Sequence, residues 1–299
     1  MPLSFRHVDV FAATAFTGNS LAVVPDSGGL STSQMLAITQ ELRHFETIFL
    51  SRAEDAEEKG APETVRARVF DLFEELDFAG HPVLGAAAVL HEQEDAPGAR
   101  HWTFQLPGKT VTVTTRRTER GYHATLDQGR PEFGATLSTA DAHEVAGALS
   151  LPAEALAELP LEVVSTGLRY LIVPVRGHLA AARIVHDDFA ELLARHGAQF
   201  VYVVDVDARE GRHWNNDGIL EDVATGSAAG CVGAYLAGHR VVPVGKEFVL
   251  HQGRFVGRPS RITVLPEGLP RDLTNIRVGG DVVMVARATL DTVPQPAGQ

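Results

Sequence analysis

Two stretches of the chain read as near copies of one another, and they limit the fold more than any other feature. Asp77 to Leu90 (DFAGHPVLGAAAVL) matches Asp222 to Leu236 (DVATGSAAGCVGAYL), with one extra residue before the second glycine. Each is a polar turn leading into a helix of very small residues. Such a helix suits the inside of a sheet or barrel, because Ala and Gly let backbones approach closely. Pro82 fits a first helical turn, where its missing N–H costs nothing. Self-similarity at half the chain length points to two related domains facing one another. The turn-rich run Asp127-Gln128-Gly129-Arg130-Pro131 marks the boundary. The expected halves are 1–128 and 129–299, with the final strand free to return to the N-terminal half. A chain of 299 residues is long for one core, which agrees with that division.

Around these helices the pattern is mixed α/β. Val8 to Phe11 and Ser20 to Val24 read as strands flanking the turn Phe16-Thr17-Gly18-Asn19. Ser31 and Gln34 have capping-box spacing, with Leu30 and Met35 placed as a hydrophobic staple. Met35, Ile38 and Leu42 then repeat at helical spacing up to a stop near Arg43. Further strands are expected at Thr47 to Leu50, Val65 to Phe70 and Thr110 to Thr114. The second half shows them at Glu162 to Ser165, Arg169 to Val175, Phe200 to Val206, Glu247 to His251, Arg261 to Val264 and Val282 to Ala288. The tail Val293 to Gln299 reads as mobile.

Charge and motif content exclude several classes of function. A net charge of -12 repels polyphosphate backbones, so nucleic acid is not an expected partner. No stretch is apolar enough to span a bilayer, and Met1 to Arg6 lacks a signal-peptide layout, making the cytoplasm the default compartment. One cysteine, Cys231, permits neither an internal disulfide nor a cysteine-rich metal site. The 13 histidines include no HExxH pair. Gly108-Lys109-Thr110 imitates the end of a phosphate-binding loop, but the required upstream glycine is Thr103, and no GxGxxG is present.

If the two halves face each other, both helix N-termini point into the cleft between them. The N–H groups at Gly80-His81 and Gly226-Ser227 would then receive a carboxylate. Such a site suits proton abstraction beside an acid, because fixed N–H dipoles stabilise the charge that spreads into it. Glu46, at a helix-to-strand junction, is the candidate acid/base, with burial behind Phe45 and Phe49 expected to raise its pKa. The same spacing also fits a surface glutamate at a helix end. His81 is read as a hydrogen-bond donor, a second acid/base or a plain cap. Asp222 is either an orienting carboxylate or a turn residue. Thr225 and Ser227 bind substrate or cap the helix, and Asn19 reaches the cleft or completes a Gly-Asn turn. Cys231 reads as packing.

Taken in series, these residues resemble the phenazine-biosynthesis (PhzF-like) family. Phe16 to Val24 (FTGNSLAVV) resembles its F-x-G-N-P-L-A-V-V, and Glu46 to Phe49 (ETIF) resembles its S-E-T-x-F. Phe78 to Gly85 (FAGHPVLG) and Glu221 to Ala228 (EDVATGSA) are similar to F-A-G-H-P-x-L-G and E-D-P-x-T-G-S-A. Gln252-Gly253, Gly257 to Ser260 and Val278 to Gly280 also fit. The resemblance implies a diaminopimelate epimerase-like fold, in which two α/β domains each wrap a curved sheet around a central helix. It further implies a homodimer, neither metal nor organic cofactor, and an isomerase in which Glu46 moves a proton along a small unsaturated amino acid or cyclic carboxylic acid. His81, Asp222 and Ser227 match the family's other site residues. Phe45 and Ser20 depart from its usual serine and proline, Val223 stands for a second proline, and His44 precedes Phe45. An epimerase using Glu46 and His81 is the nearest alternative. A non-catalytic binder of small amino acids is another, whereas a Ser227 hydrolase lacks the G-x-S-x-G elbow.

Overall fold

A computed structural model describes residues 2–52 and 64–295. The last four residues of the tail expected to be mobile lie outside them. The chain divides into two units, Met1–Asp127 with Gly279–Gln299, and Gln128–Val278.

In the first unit, strands β1 (Leu3–Val10) and β2 (Asn19–Val24) precede helix α1 (Thr32–Leu42). The local signals of α1 all form. The Ser31 side chain accepts from the Gln34 N–H, Gln34 reaches back to the Ser31 N–H, and Arg43 closes the helix in the left-handed region. Strands β3 (Glu46–Arg52), β4 (Thr64–Phe70) and the short β5 (Glu75–Leu76) lead to helix α2 (Gly80–Glu94). Then come β6 (Ala99–Gln105), β7 (Thr110–Thr118) and β8 (Gly121–Asp127).

The sheet of this unit runs β1-β2-β3-β4-β6-β7-β8 and reaches the last strand of the chain, β16 (Asp272–Leu290). Leu3 to Val10 pair antiparallel with Val282 to Leu290, so β16 also meets β1 and the strand path closes. Residues from Gly279 onward therefore group with the first unit rather than with the second half of the sequence. Helix α2 packs against β1, β2, β3, β6, β7 and β8, and nearly every residue from His81 to Val89 is buried. Its small side chains make this possible. A Cβ on Gly85 would lie 2.4 Å from Leu21 Cδ2 and 3.1 Å from Val8 Cγ2. Helix α1 covers the opposite face, where Val24, Met35, Ile38, Phe49 and Phe70 form a separate core.

The second unit contains β9 (Glu132–Thr136), α3 (Thr139–Ala148), β10 (Glu162–Ser165), β11 (Arg169–Val175) and α4 (Phe189–Arg195). It continues with β12 (Phe200–Asp205), β13 (Glu210–Arg212), α5 (Gly226–Gly238), β14 (Phe248–Gln252) and β15 (Ser260–Leu269). Its order is β15-β14-β13-β12-β11-β10-β9, with the first part of β16 beside β15. Strands β11 and β12 are parallel. The buried helix α5 packs on β10, β11, β12 and β15, while α3 and α4 cover the other face around Leu171, Val173, Val201 and Val203. Alternation along β11 therefore turns Tyr170 and Ile172 toward α5. Elements without a clear sequence signal are β5, β6, β8, β9, β13, α3 and α4, and β16 extends well beyond Val282 to Ala288.

Candidate active site

In the first unit, the candidate residues come from three elements on the α2 side of the sheet. Leu21 packs on Gly85 of α2, and Glu46 is its register partner across the parallel β2–β3 pair. Alternation puts Asn19 on the same face. Arg43, at φ 58°, ends α1 abruptly, so Glu46 opens β3 from a rigid frame. Gly18 performs a similar service for Asn19. It has φ +67°, and a Cβ there would come within 2.3 Å of the Val10 carbonyl oxygen, so only glycine fits. Asn19 itself is buried.

His81 occupies the first turn of α2, and its Nε2 lies 3.3 Å from Glu46 Oε2. The two side chains are 8% and 16% exposed, so both polar groups are largely shielded from solvent. The residue before α2, Ala79, offers no side-chain cap. Gly80 and His81 thus bring first-turn N–H groups and the positive end of the helix dipole to this spot.

The burial of Glu46 has a different origin from the one expected. Phe45 is 40% exposed, and Phe49 points away into the α1 core. Residues three apart on a strand face opposite sides, so Phe49 cannot shield Glu46. The contact comes from α2 instead. Ser20 and His44 find each other on the outer face. Ser20 Oγ lies 2.9 Å from both His7 Nε2 and His44 Nδ1.

In the second unit, Asp222, Thr225, Gly226 and Ser227 form the turn into α5. The Thr225 hydroxyl donates to Asp222 Oδ2 at 2.6 Å, and the Ala224 N–H donates to Oδ1 at 3.3 Å. Thr225 is the N-cap residue, yet its hydroxyl is spent on Asp222, so no side chain caps α5. Gln252, only 1% exposed, ties the turn together. Its amide nitrogen donates to the Asp222 carbonyl at 2.9 Å and to Thr225 Oγ1 at 3.0 Å. Its Oε1 accepts from the Thr225 N–H at 3.1 Å and from the Tyr202 hydroxyl at 2.9 Å. Burial raises the Tyr202 pKa, so the phenol stays a neutral donor.

Three further side chains of this turn lie outside the sequence-marked set. The hydroxyls of Tyr170 and Ser227 are 2.8 Å apart, and burial likewise pushes the Tyr170 pKa up. Arg212 forms a bidentate pair with Glu221, at 3.0 and 2.6 Å, between the rings of Trp214 and Phe255. His213, from the same segment, carries a pKa lowered by burial, partly offset by the Asp222 carboxylate. None of the three has a local motif; only the folded chain brings them to the turn. Cys231 is buried in α5, with its thiol pKa pushed up to about 12 by desolvation. Among the described residues, no group of three His, Cys, Asp or Glu side chains is placed to hold a metal ion. No described helix is long and apolar enough to cross a membrane.

Comparison with known proteins bears on the whole chain. The family model for phenazine biosynthesis-like proteins (PhzC-PhzF) matches residues 8–288. A trans-2,3-dihydro-3-hydroxyanthranilate isomerase from Pseudomonas aeruginosa is 31% identical over 92% of this chain and 94% of its own. The solved structure of a predicted epimerase from Pseudomonas aeruginosa is 48% identical with a TM-score of 0.88, covering 97% of this chain and 99% of that one. A hydroxyproline epimerase from Agrobacterium vitis, solved with trans-4-hydroxy-L-proline bound, shares the fold at 15% identity, with a TM-score of 0.60 over 97% of this chain and 92% of its own. The fold is the diaminopimelate epimerase-like one.

Proposed function

The chain belongs to the phenazine biosynthesis-like family, whose curated relatives are isomerases, and from that premise we propose that Glu46 is the acid/base of a cofactor-independent proton shift. The substrate class is a small unsaturated amino acid or cyclic carboxylic acid. The observation that carries this reading is the Glu46–His81 contact at 3.3 Å beside the uncapped start of α2. The Glu46 carboxylate takes a proton from carbon, the electron pair spreads through the conjugated system, and the same carboxyl group returns the proton at another carbon. His81 steadies the carboxylate across that contact. Asn19 and Gly80 in the first unit, and Thr225, Gly226 and Ser227 in the second, are assigned to substrate binding, with Asp222 as a third catalytic group. By the same family resemblance, the protein is assigned to secondary metabolism as a cytoplasmic homodimer.

The separation of the pair also favours one acid/base over two. Two-base epimerisation needs a carbon between the bases, about 3–3.5 Å from each. Two atoms 3.3 Å apart lie on one side of such a carbon rather than on opposite faces of it.

The test is proton exchange in D2O followed by NMR, with trans-2,3-dihydro-3-hydroxyanthranilate as the first compound and related cyclic amino acids after it. The wild type is expected to place deuterium in the isomerised product without added cofactor. Glu46→Gln should lower the rate by at least about 100-fold while keeping the substrate bound. Equal exchange by both proteins would remove Glu46 from the role. Unchanged ligand and no exchange by the wild type would favour a binding protein.

A further inference from the structure

The second unit holds a buried histidine that the proton shift does not use. His213 is 7% exposed, and its Nδ1 lies 2.8 Å from the Val201 carbonyl oxygen. A carbonyl can only accept, so Nδ1 carries the ring proton. Burial favours the neutral ring, which leaves Nε2 with an open lone pair. Nε2 makes no hydrogen bond among the described residues.

The ring adjoins the turn into α5. The Asp222 N–H donates to the His213 carbonyl at 2.9 Å, and Trp214 pairs antiparallel with Glu221 next to it. His213 and Asp222 are thus opposite one another across a two-stranded ribbon, with side chains on the same face. The other side of the imidazole meets the Tyr170 ring edge-on, with centroids 5.6 Å apart. Tyr170 reaches the Ser227 hydroxyl, Ser227 lies in the first turn of α5 two residues after the N-cap Thr225, and Thr225 donates to Asp222. These side chains make a closed circuit around the start of α5. The Tyr170 and Ser227 hydroxyls share one hydrogen bond, and the Thr225 hydroxyl donates to Asp222. The imidazole contributes an acceptor beside a carboxylate, a combination that selects for a donor.

We propose that His213 is a specificity-determining residue whose Nε2 accepts a hydrogen bond from an amino or hydroxyl substituent of the substrate. This rests on the reading above that the α5 turn binds a small acid, and it narrows the class to acids bearing such a donor. An acid without one leaves a buried acceptor unpaired, and sites of that design reject the lesser analogue strongly.

Binding of benzoate, anthranilate and 3-hydroxyanthranilate to the full chain, measured by calorimetry, tests it. The wild type should prefer the two donor-bearing acids over benzoate by at least about tenfold. His213→Asn keeps an amide donor for Val201 but has no acceptor at the Nε2 position, and it should lose the preference with benzoate affinity unchanged. His213→Gln places an amide oxygen near the Nε2 position and should restore it. Equal affinity of the wild type for all three acids, or no binding of any, overturns the proposal. So does an unchanged preference in a folded His213→Asn variant. The Glu46→Gln exchange assay gives an independent answer. Loss of exchange with preference unchanged in His213→Asn sinks this inference alone, and the converse pattern sinks only the role of Glu46.

Discussion

Replacing Gln252 by leucine should be among the most damaging single changes in the second unit. The substitution nearly preserves volume, so its cost lies in hydrogen bonds rather than in packing. It strands two buried donors, the Tyr202 hydroxyl and the Thr225 N–H, and deprives the Asp222 carbonyl and Thr225 Oγ1 of a donor. A stranded buried donor costs about 1–3 kcal/mol, and under-satisfied acceptors cost less. Allowing for the apolar side chain gained, the net loss is about 3–5 kcal/mol. For a unit of this size that lowers Tm by roughly 6–20 °C. Urea unfolding followed by tryptophan fluorescence gives the free energy, since buried Trp214 adjoins the turn. Gln252→Glu keeps acceptors but buries an uncompensated carboxylate against the Asp222 carbonyl, and should cost at least as much as leucine. Adding Tyr202→Phe to Gln252→Leu removes the stranded phenol, so the double variant should be about 1–2 kcal/mol more stable than additivity predicts. A Gln252→Leu protein within 1 kcal/mol of wild type, or a strictly additive pair, would refute the reasoning.

Other changes have equally definite outcomes. Gly85→Ala gains about 1 kcal/mol of helix propensity, but the new methyl must displace Leu21, and overpacking costs about 1–3 kcal/mol. Thermal melts should show a net loss of up to about 2 kcal/mol, and an unchanged or higher Tm would mean that α2 has room to spare. Native Cys231 should resist a soluble thiol reagent at pH 8 and react on unfolding, because its thiolate is disfavoured until about pH 12. Prompt labelling of the folded chain would contradict its burial. His213 has a pKa depressed from 6.5 by burial, so the unfolded chain takes up its proton first as pH falls. Its contribution is therefore complete above pH 6.5 and drains away as pH drops toward the folded-state value. The stability of His213→Gln should be flatter than wild type over that window, and parallel curves would dismiss the effect.

Legibility from sequence follows how local the controlling interactions are. Helix α1 announces both its ends because Ser31, Gln34 and Arg43 act within one turn of it. The bounds of β10 and β11 are readable because unbroken β-branched and aromatic runs end in turn residues. Helix α4 spans only seven residues, and α3 buries mainly alanines, so neither offers a clear apolar stripe. Strands β6 and β8 alternate with polar residues that blur them into loop. Near the candidate site, Glu46 and His81 stand out through motif spacing, and their 3.3 Å approach is a property of the fold. The supposed shielding by Phe49 ignored strand alternation, which sends it to the other face. Tyr170 and His213 carry no local mark because their partners arrive from distant elements.

The pairing of β1 with β16 also sets an order of events during synthesis. β1 is joined to a strand made about 270 residues later. At about 5–20 residues per second, β1 waits roughly 15–60 s on the nascent chain before its partner exists. During that wait β1 presents an open edge, the kind that pairs indiscriminately with other chains. The second unit, by contrast, has nearly all its strands in hand before Gly279 emerges. Assembly of the first unit is therefore expected to run against the direction of translation, its strand path closing only once residues 282–290 have emerged. Removing β16 would leave β1 without a seam.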